Sequence, residues 1–324
     1  MLFIATVLIT LSHLDAFVPD PRIASGGAIG NSLFFFLSGF GVTCALTASA
    51  AAARSPSFLD YYKRRILRLY PAVLLMFGPA LLANSVYYQK EFDFFKSLIW
   101  PTPFWFIPAV MLFYIPLFSI ARLRPRVAIL ALAPLIVPYI YLYLQLDLSK
   151  FTVESENFVK IINYFCITVM GSVVAKSGIT PKANSLNIGM FLLSYLAFVV
   201  MKLTLFRFGF SEFQFVNHLL LYPIIYYSFH LFCSPKILEL LSKTSARHAV
   251  YWLSGLTLEI YLVQGPWLVL LESLNLGLGY TILLVIALAP IPVFAFTLHR
   301  LADWLRALVV PPPPDSLGRA NSAS

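Results

Sequence analysis

Charged residues are scarce in this chain, and that scarcity argues against a soluble protein. Only 11% of the 324 residues are Asp, Glu, Lys or Arg, against about 25% in soluble globular domains. Hydrophobic residues make up 60% of the chain, and the mean hydropathy is +0.82. Since a helix needs roughly 20 mainly apolar residues to cross a bilayer, we interpret the sequence as one polytopic membrane domain.

Several kinds of site are also missing from the sequence. The chain has three cysteines, each inside an apolar run, so we expect buried free thiols and no disulfide framework. The metal-binding patterns H-E-x-x-H and C-x-x-C do not occur, and neither does a phosphate-binding loop. We therefore predict no metal ion. We predict no nucleic-acid partner either, because the cations lie beside the predicted membrane segments.

Hydropathy predicts about ten spans in an antiparallel all-α bundle, because only helices or closed barrels satisfy the backbone within lipid. The apolar segments are too long and too continuous for barrel strands. The predicted spans are residues 1–17, 28–50, 70–88, 104–121, 127–146, 159–175, 186–206, 217–233, 250–271 and 277–298.

Lysine and arginine are distributed unevenly between the two sides of this predicted bundle. One side holds 16 of the 23 cations, and the positive-inside rule assigns that side to the cytoplasm. Both termini fall there, as an even number of spans requires. We expect residues 1–310 to form the integral-membrane domain and the proline-rich residues 311–324 to be a disordered tail.

The densest group of cations lies in YYKRRILRLYP, residues 61–71, which contains Lys63, Arg64, Arg65 and Arg68. If this segment is helical, Arg64 and Arg68 share a face. Two guanidinium groups on one face suit the binding of phosphate groups. The alternative is that these cations only fix the topology and bind anionic lipids.

Ionisable residues inside an apolar span are candidates for function, because each costs about 2.5–3.5 kcal/mol or more at the bilayer centre. His13 lies roughly 18 Å along the first predicted span, and a neutral imidazole suits a general base. The alternative is a histidine hydrogen-bonded within the bundle. Glu259 is the second candidate catalytic residue, as a partner of His13 or of an arginine. The alternative interpretation is that Glu259 is a carboxylate at the end of a span, where it is paired or reaches toward the membrane surface.

Two aromatic segments complete the candidate site. FFFLSGF, residues 34–40, places Ser38 and Gly39 in mid-span, where small residues allow helices to approach closely. PTPFWFIPAVMLFYIP, residues 101–116, is either an aromatic belt with a kinked entry or a wall that lines an acyl or sugar site. The candidate substrate-lining residues are Ser38, Trp105 and Tyr114.

The order of these motifs resembles a known family. The motifs are His13 late in the first span, G-x-x-G-N-S-L-F-F-F-L-S-G-F at 27–40, Y-x-K-R-R-I-x-R-L-Y-P at 61–71, F-W-F-I-P-A at 104–109 with Tyr114 downstream, and L-E-I-Y-L-V-Q-G-P-W at 258–267. Together they resemble the acyltransferase-3 family, the bacterial membrane O-acyltransferases that modify cell-surface glycans.

This resemblance implies transfer of an acyl group, acetyl first of all, from cytoplasmic acyl-CoA to a hydroxyl of an extracytoplasmic or lipid-linked saccharide. It implies that His13 activates the hydroxyl or carries the acyl group itself. The cations Lys63, Arg64, Arg65 and Arg68 would then hold the phosphates of acetyl-CoA or another acyl-CoA. The implied setting is the bacterial inner membrane, with membrane lipids and a cell-surface glycan as partners.

Two departures from the family pattern keep other functions open. The family's closing histidine is Gln264 here, and its arginine-bearing segment before the first span is missing, which we interpret as a truncated start or a lost contact. A non-catalytic membrane paralogue would fit these departures. A transporter or flippase for a lipid-linked saccharide is the other alternative, although the sequence has no visible internal repeat.

Overall fold

The computed structural model describes residues 1–21, 24–52, 56–88, 104–148, 152–155 and 158–309, and no strand occurs within these ranges. The prediction of an all-α fold is confirmed. In chain order the helices are α1 (Leu2–Leu11), α2 (Gly27–Ala51), α3 (Phe58–Tyr88), α4 (Phe106–Ile120), α5 (Pro125–Leu130), α6 (Ile136–Leu144), α7 (Phe158–Lys176), α8 (Ser185–Phe208), α9 (Phe215–Phe232), α10 (Pro235–Ser242), α11 (Arg247–Gly255), α12 (Thr257–Ser273), α13 (Tyr280–Leu288) and α14 (Pro290–Val309). The predicted tail, residues 311–324, lies outside the described residues.

Every predicted span contains a helix, but the count of ten crossings is not confirmed. By length and composition, 6 helical segments in the described part of the chain could cross a membrane, or up to 7 if α11 and α12 form one bent span. The segments are Gly27–Ala51, Phe58–Ala83, Pro125–Leu144, Phe158–Lys176, Ser185–Leu205 and Tyr280–Val309. Helix α1 has 10 residues and is therefore only about 15 Å long.

Helix α3 begins twelve residues before the predicted span 70–88, so the basic segment is helical rather than a loop. The start is fixed by Ser57, whose Oγ accepts a hydrogen bond from the Asp60 backbone N–H and donates one to Asp60 Oδ2. This reciprocal arrangement resembles a capping box. Pro71 and Pro79 lie inside the helix, where each removes a backbone donor.

The last two predicted spans also differ from the structure. Helices α11 and α12 meet at a bend of 73° instead of forming one straight span over 250–271. Helix α14 continues to Val309, so Arg300 and Arg306, which follow the predicted span 277–298, lie in the helix. These two arginines therefore belong to the helical bundle.

Helices α2 and α7 pack closely against each other, and this contact depends on two glycines. A Cβ atom added at Gly39 would collide with the backbone carbonyl of Thr168, and one added at Gly171 would collide with that of Phe36. The prediction that Gly39 permits close approach of two helices is confirmed.

The two ends of the bundle differ in character. At one end, the ring of Tyr61 near the start of α3 lies 5.1 Å from that of Phe118 in α4, and Lys176 at the end of α7 donates to the Leu123 carbonyl. We call this the basic end. The opposite end, formed by the starts of α4, α7 and α9, is the far end. Which end faces the cytoplasm remains a prediction.

We expect Gly39→Ala to destabilise the protein by about 1–3 kcal/mol, the usual cost of overpacking a closely packed core. The control is Gly41→Ala on the same helix, because an added Cβ there has nothing within 4 Å. Thermal unfolding in detergent measures the difference. Equal midpoints for the two variants would contradict the assigned α2–α7 contact.

Candidate active site

The arginine cluster occupies the second and third turns of α3. The side chains of Lys63, Arg64 and Arg68 are exposed, whereas that of Arg65 is half-buried. Arg64 Nε donates to the Asp60 carbonyl at 3.2 Å, which holds this side chain along its own helix. The cluster therefore offers three solvent-facing cations and one that points into the bundle.

Arg65 lies between two aromatic rings. Its guanidinium carbon is 5.3 Å from the ring centre of Tyr61 and 5.2 Å from that of Tyr114, within the range of cation–π attraction. Both tyrosines are buried. The Arg65 Nε atom is also buried and has no hydrogen-bond partner among the described residues. Since an unpaired buried donor costs about 1–3 kcal/mol, this atom is a site where an anionic ligand would be stabilised.

His13 lies in the turn that follows α1. Its backbone N–H donates to the Thr10 carbonyl, and its side chain is exposed. The neighbouring Ser12 lies against the first residue of α2, because a Cβ added at Gly27 would be 2.7 Å from Ser12 Oγ. His13 is thus at the far end of the bundle, beside the start of α2.

Gln264, the residue at the position of the family's closing histidine, contacts the same helix. It is 1% exposed, and its Oε1 accepts a hydrogen bond of 2.7 Å from Thr10 Oγ1. A second bond, from Thr6 to Thr257, joins α1 and α12 one turn earlier. Gln264 therefore holds α1 in position at Thr10, one turn before His13. Hydropathy alone does not predict this contact.

Glu259 does not pair with His13 in the structure, which corrects that part of the sequence-based interpretation. Its buried Oε1 lies 2.8 Å from His299 Nδ1, and the other ring nitrogen of His299 lies 3.3 Å from Asp303 Oδ2. Glu259 is therefore a paired carboxylate between α12 and α14, two helices that both pack against α3.

The three candidate lining residues lie at different heights. Tyr114 contacts Arg65 near the basic end. Trp105 is at the far end, with the Lys160 ammonium 3.9 Å from its ring centre. Ser38 is half-buried beside Gly39 in α2. The structure therefore does not gather these three residues into one pocket wall.

A polar cluster at the far end was missed by the sequence analysis. Glu154 accepts hydrogen bonds from Tyr164 Oη at 2.6 Å and from His218 Nε2 at 3.0 Å, and Tyr139 Oη lies 2.9 Å from His218 Nδ1. Lys160 donates to the Glu154 backbone carbonyl. These residues come from separate parts of the chain, so no local sequence motif predicts the cluster.

Glu154 is the acidic centre of this cluster. Burial alone would raise the pKa of its carboxyl group, but the hydrogen bonds and charge of His218, the bond from Tyr164 and the charge of Lys160 together lower the pKa below the ordinary value of 4.5. The ionised carboxylate is therefore the form that the fold stabilises.

His13 and the arginine cluster are separated along the bundle axis. Gly27, which contacts Ser12, and Phe35 are eight residues apart on α2, a rise of about 12 Å. The ring centre of Phe35 is 5.2 Å from that of Phe113, the neighbour of Tyr114. A cavity of about 210 Å³ lies against α1, α12 and α14, but neither His13 nor the arginines line it.

Comparison with known proteins adds independent information. A family model described as "Acyltransferase domain" matches residues 3–300. The chain is 28% identical over 108 residues to the O-acetyltransferase OatA of Staphylococcus aureus, a match that covers 32% of this chain and 17% of that protein. It is 34% identical over 89 residues to YrhL of Bacillus subtilis, a protein assigned as a peptidoglycan O-acetyltransferase, with 26% and 14% covered. No solved structure matches.

The Glu154 cluster predicts a pH-dependent contribution to stability. Because the folded state lowers the pKa of Glu154, its stabilisation is present above the unfolded pKa and is lost as the pH falls through the folded pKa. We expect Glu154→Gln to cost about 1.5–3 kcal/mol at neutral pH, the usual range for hydrogen bonds to a charged group.

Thermal midpoints in detergent should show this loss at pH 7 and a smaller difference from the wild type toward pH 3. The control is Glu212→Gln, since Glu212 is an exposed carboxylate at the same end. A difference between wild type and Glu154→Gln that is independent of pH would contradict the assignment.

Proposed function

Because the chain belongs to the acyltransferase-3 family, we propose that it is a membrane O-acyltransferase. The donor is an acyl-CoA, acetyl-CoA first of all, and the acceptor is a hydroxyl group of an extracytoplasmic or lipid-linked saccharide. The names of the relatives, an O-acetyltransferase and a protein assigned to peptidoglycan O-acetylation, support acetyl transfer to a cell-surface glycan. The relatives are bacterial, which supports the bacterial cytoplasmic membrane as the location.

One observation carries the donor assignment: Arg65 presents a buried Nε without a partner while its guanidinium lies between Tyr61 and Tyr114. A diphosphate supplies oxygens that accept such N–H groups, and charge-assisted bonds of this kind are about twice as strong as neutral ones. Arg64 and Arg68, exposed on one face of the same helix, add positive charge for the remaining phosphate oxygens. Lys63 contributes least, because its ammonium lacks the planar fork of a guanidinium group.

The reaction then begins at the far end. His13 takes the proton from the acceptor hydroxyl, and the oxygen attacks the thioester carbonyl carbon. The tetrahedral intermediate collapses with cleavage of the carbon–sulfur bond. The ester stays on the saccharide, and the CoA thiolate receives the proton from His13. In this proposal the thioester arm extends from Arg65 toward His13, and Ser38 has no assigned chemical step.

The sides of the membrane follow from the charges. We place the basic end in the cytoplasm, where acyl-CoA is made and where lysine and arginine accumulate by the positive-inside rule. His13 and Trp105 then lie toward the outer side. Trp105 is half-buried at the far end, where it is the candidate aromatic residue to line the acceptor site.

We expect His13→Ala to abolish acetyl ester on the cell-surface saccharide, because the acceptor hydroxyl would have no base. Mass spectrometry of the saccharide from cells that carry each variant measures the ester. The control is His248→Ala, since His248 is an exposed histidine in α11. Unchanged ester in His13→Ala at equal protein level would remove His13 from the mechanism.

We expect Arg65→Ala to weaken binding of acetyl-CoA by about tenfold or more, which corresponds to the loss of at least one charge-assisted hydrogen bond. Arg68→Ala should have a smaller effect and Lys63→Ala the smallest. Titration calorimetry of the purified protein provides the three affinities. Equal and negligible effects would mean that the cluster only fixes topology and binds lipids.

A further inference from the structure

Pro71 leaves a gap in the hydrogen bonds of α3, directly beside the arginine cluster. In an α-helix the N–H of residue 71 would bond to the carbonyl of residue 67. Proline has no N–H, and its ring also crowds that carbonyl. Leu67 therefore has a carbonyl that the helix itself cannot satisfy, one residue before Arg68 and two after Arg65.

Arg306 fills this gap from another helix. Its Nε donates to the Leu67 carbonyl at 3.0 Å, and its Nη2 lies 3.4 Å from the Arg68 carbonyl. The two contacts use the planar fork of the guanidinium on two successive carbonyl groups, which a lysine ammonium cannot reproduce. The residue thus holds the one turn of α3 that Pro71 weakens.

Arg306 is itself oriented by a chain of ionic contacts. Its Nη1 donates to Asp303 Oδ1 at 2.7 Å, Asp303 Oδ2 lies 3.3 Å from His299 Nε2, and His299 Nδ1 lies 2.8 Å from Glu259 Oε1. The three α14 residues are spaced by four and then three positions, so they share a helix face. Glu259, 5% exposed, anchors the chain in α12.

We propose that Arg306 is a positioning residue for the donor site: it fixes the Pro71-weakened turn of α3 so that Arg65 and Arg68 point toward the phosphates of the donor. The inference rests on the proposed function, because it assumes that this turn binds CoA. Arg306 does not need to touch the donor, since its fork is occupied by Leu67, Arg68 and Asp303. Glu259 contributes to the position of this turn indirectly, through the chain of contacts formed by His299, Asp303 and Arg306.

The proposed role of Arg306 predicts a specific effect of replacing Pro71. Pro71→Ala returns the missing N–H to the helix, so the Leu67 carbonyl gains a partner within α3. In that background the bond from Arg306 becomes largely redundant. Loss of Arg306 should therefore matter much less in the Pro71→Ala background than in the chain that keeps Pro71, which a general role in packing α14 against α3 would not produce.

The experiment is a double-mutant cycle on the full chain in detergent, with CoA itself as the probe. We expect Arg306→Met to raise the dissociation constant of CoA about tenfold with Pro71 present, and less than about threefold in the Pro71→Ala background. Arg306→Lys should behave like Arg306→Met. Arg300→Met, which removes an exposed arginine from the same helix, should leave the constant unchanged. If Arg306→Met does not accumulate as folded protein, Arg306→Lys takes its place in the cycle.

Three results would overturn the inference: an unchanged CoA affinity in the Arg306 variant, an equal loss in both backgrounds, or an equal loss in Arg300→Met. Thermal midpoints measured on the same samples show whether each variant is folded. Failure of the wild type to bind CoA would instead refute the proposed function. Binding by the wild type with no effect of Arg306 would refute the positioning role alone.

Discussion

The proposed donor site depends on the position of one guanidinium group. Arg65 is drawn into the bundle by two aromatic rings, and the fold leaves its Nε buried without an acceptor in the part of the chain that the structure describes. Folding alone gains nothing from an unpaired buried donor. In the proposed function, the phosphates of the donor would turn this cost into binding energy, and for that reason the proposal rests on Arg65 more than on the number of cations.

Three helices hold this group in place. Tyr61 belongs to α3 itself, Tyr114 comes from α4, and Arg306 of α14 supports the neighbouring turn. At the far end, the contact of Gln264 with Thr10 and that of Ser12 with Gly27 fix the end of α1, where His13 lies. The rigid α2–α7 pair runs between the two regions. The proposed donor and acceptor sides are thus attached to one common framework, which allows an elongated substrate to bridge them.

The sequence predicted the elements that depend on local patterns. Apolar runs identified a helix for every proposed span, and the Ser-Gly pair in α2 predicted a close helix contact. The ordered motifs predicted the family. The predicted number of crossings is not confirmed, because hydropathy alone does not separate a 10-residue helix such as α1 from a full span. The start of α3 was missed because the charged segment was interpreted as a loop between spans. The capping pair that begins the helix, Ser57 and Asp60, was not recognised.

Contacts between distant segments could not be predicted from the chain. Glu259 was expected to serve His13 or an arginine, yet it meets His299, forty residues away. The Glu154 cluster joins three helices and a connecting segment. Arg306 follows the last predicted span and was given no role in the sequence analysis, although Pro71 in the motif already implied an unsatisfied carbonyl. That implication was available from the sequence, whereas the partner was not.

A structure of the protein with bound CoA tests the central claim most directly. The account predicts phosphate oxygens within hydrogen-bonding distance of Arg65 Nε, beside Tyr61 and Tyr114, with the thiol end of CoA directed along α2 toward His13. CoA bound elsewhere, or bound at the basic end with Arg65 Nε still unpartnered, would contradict it.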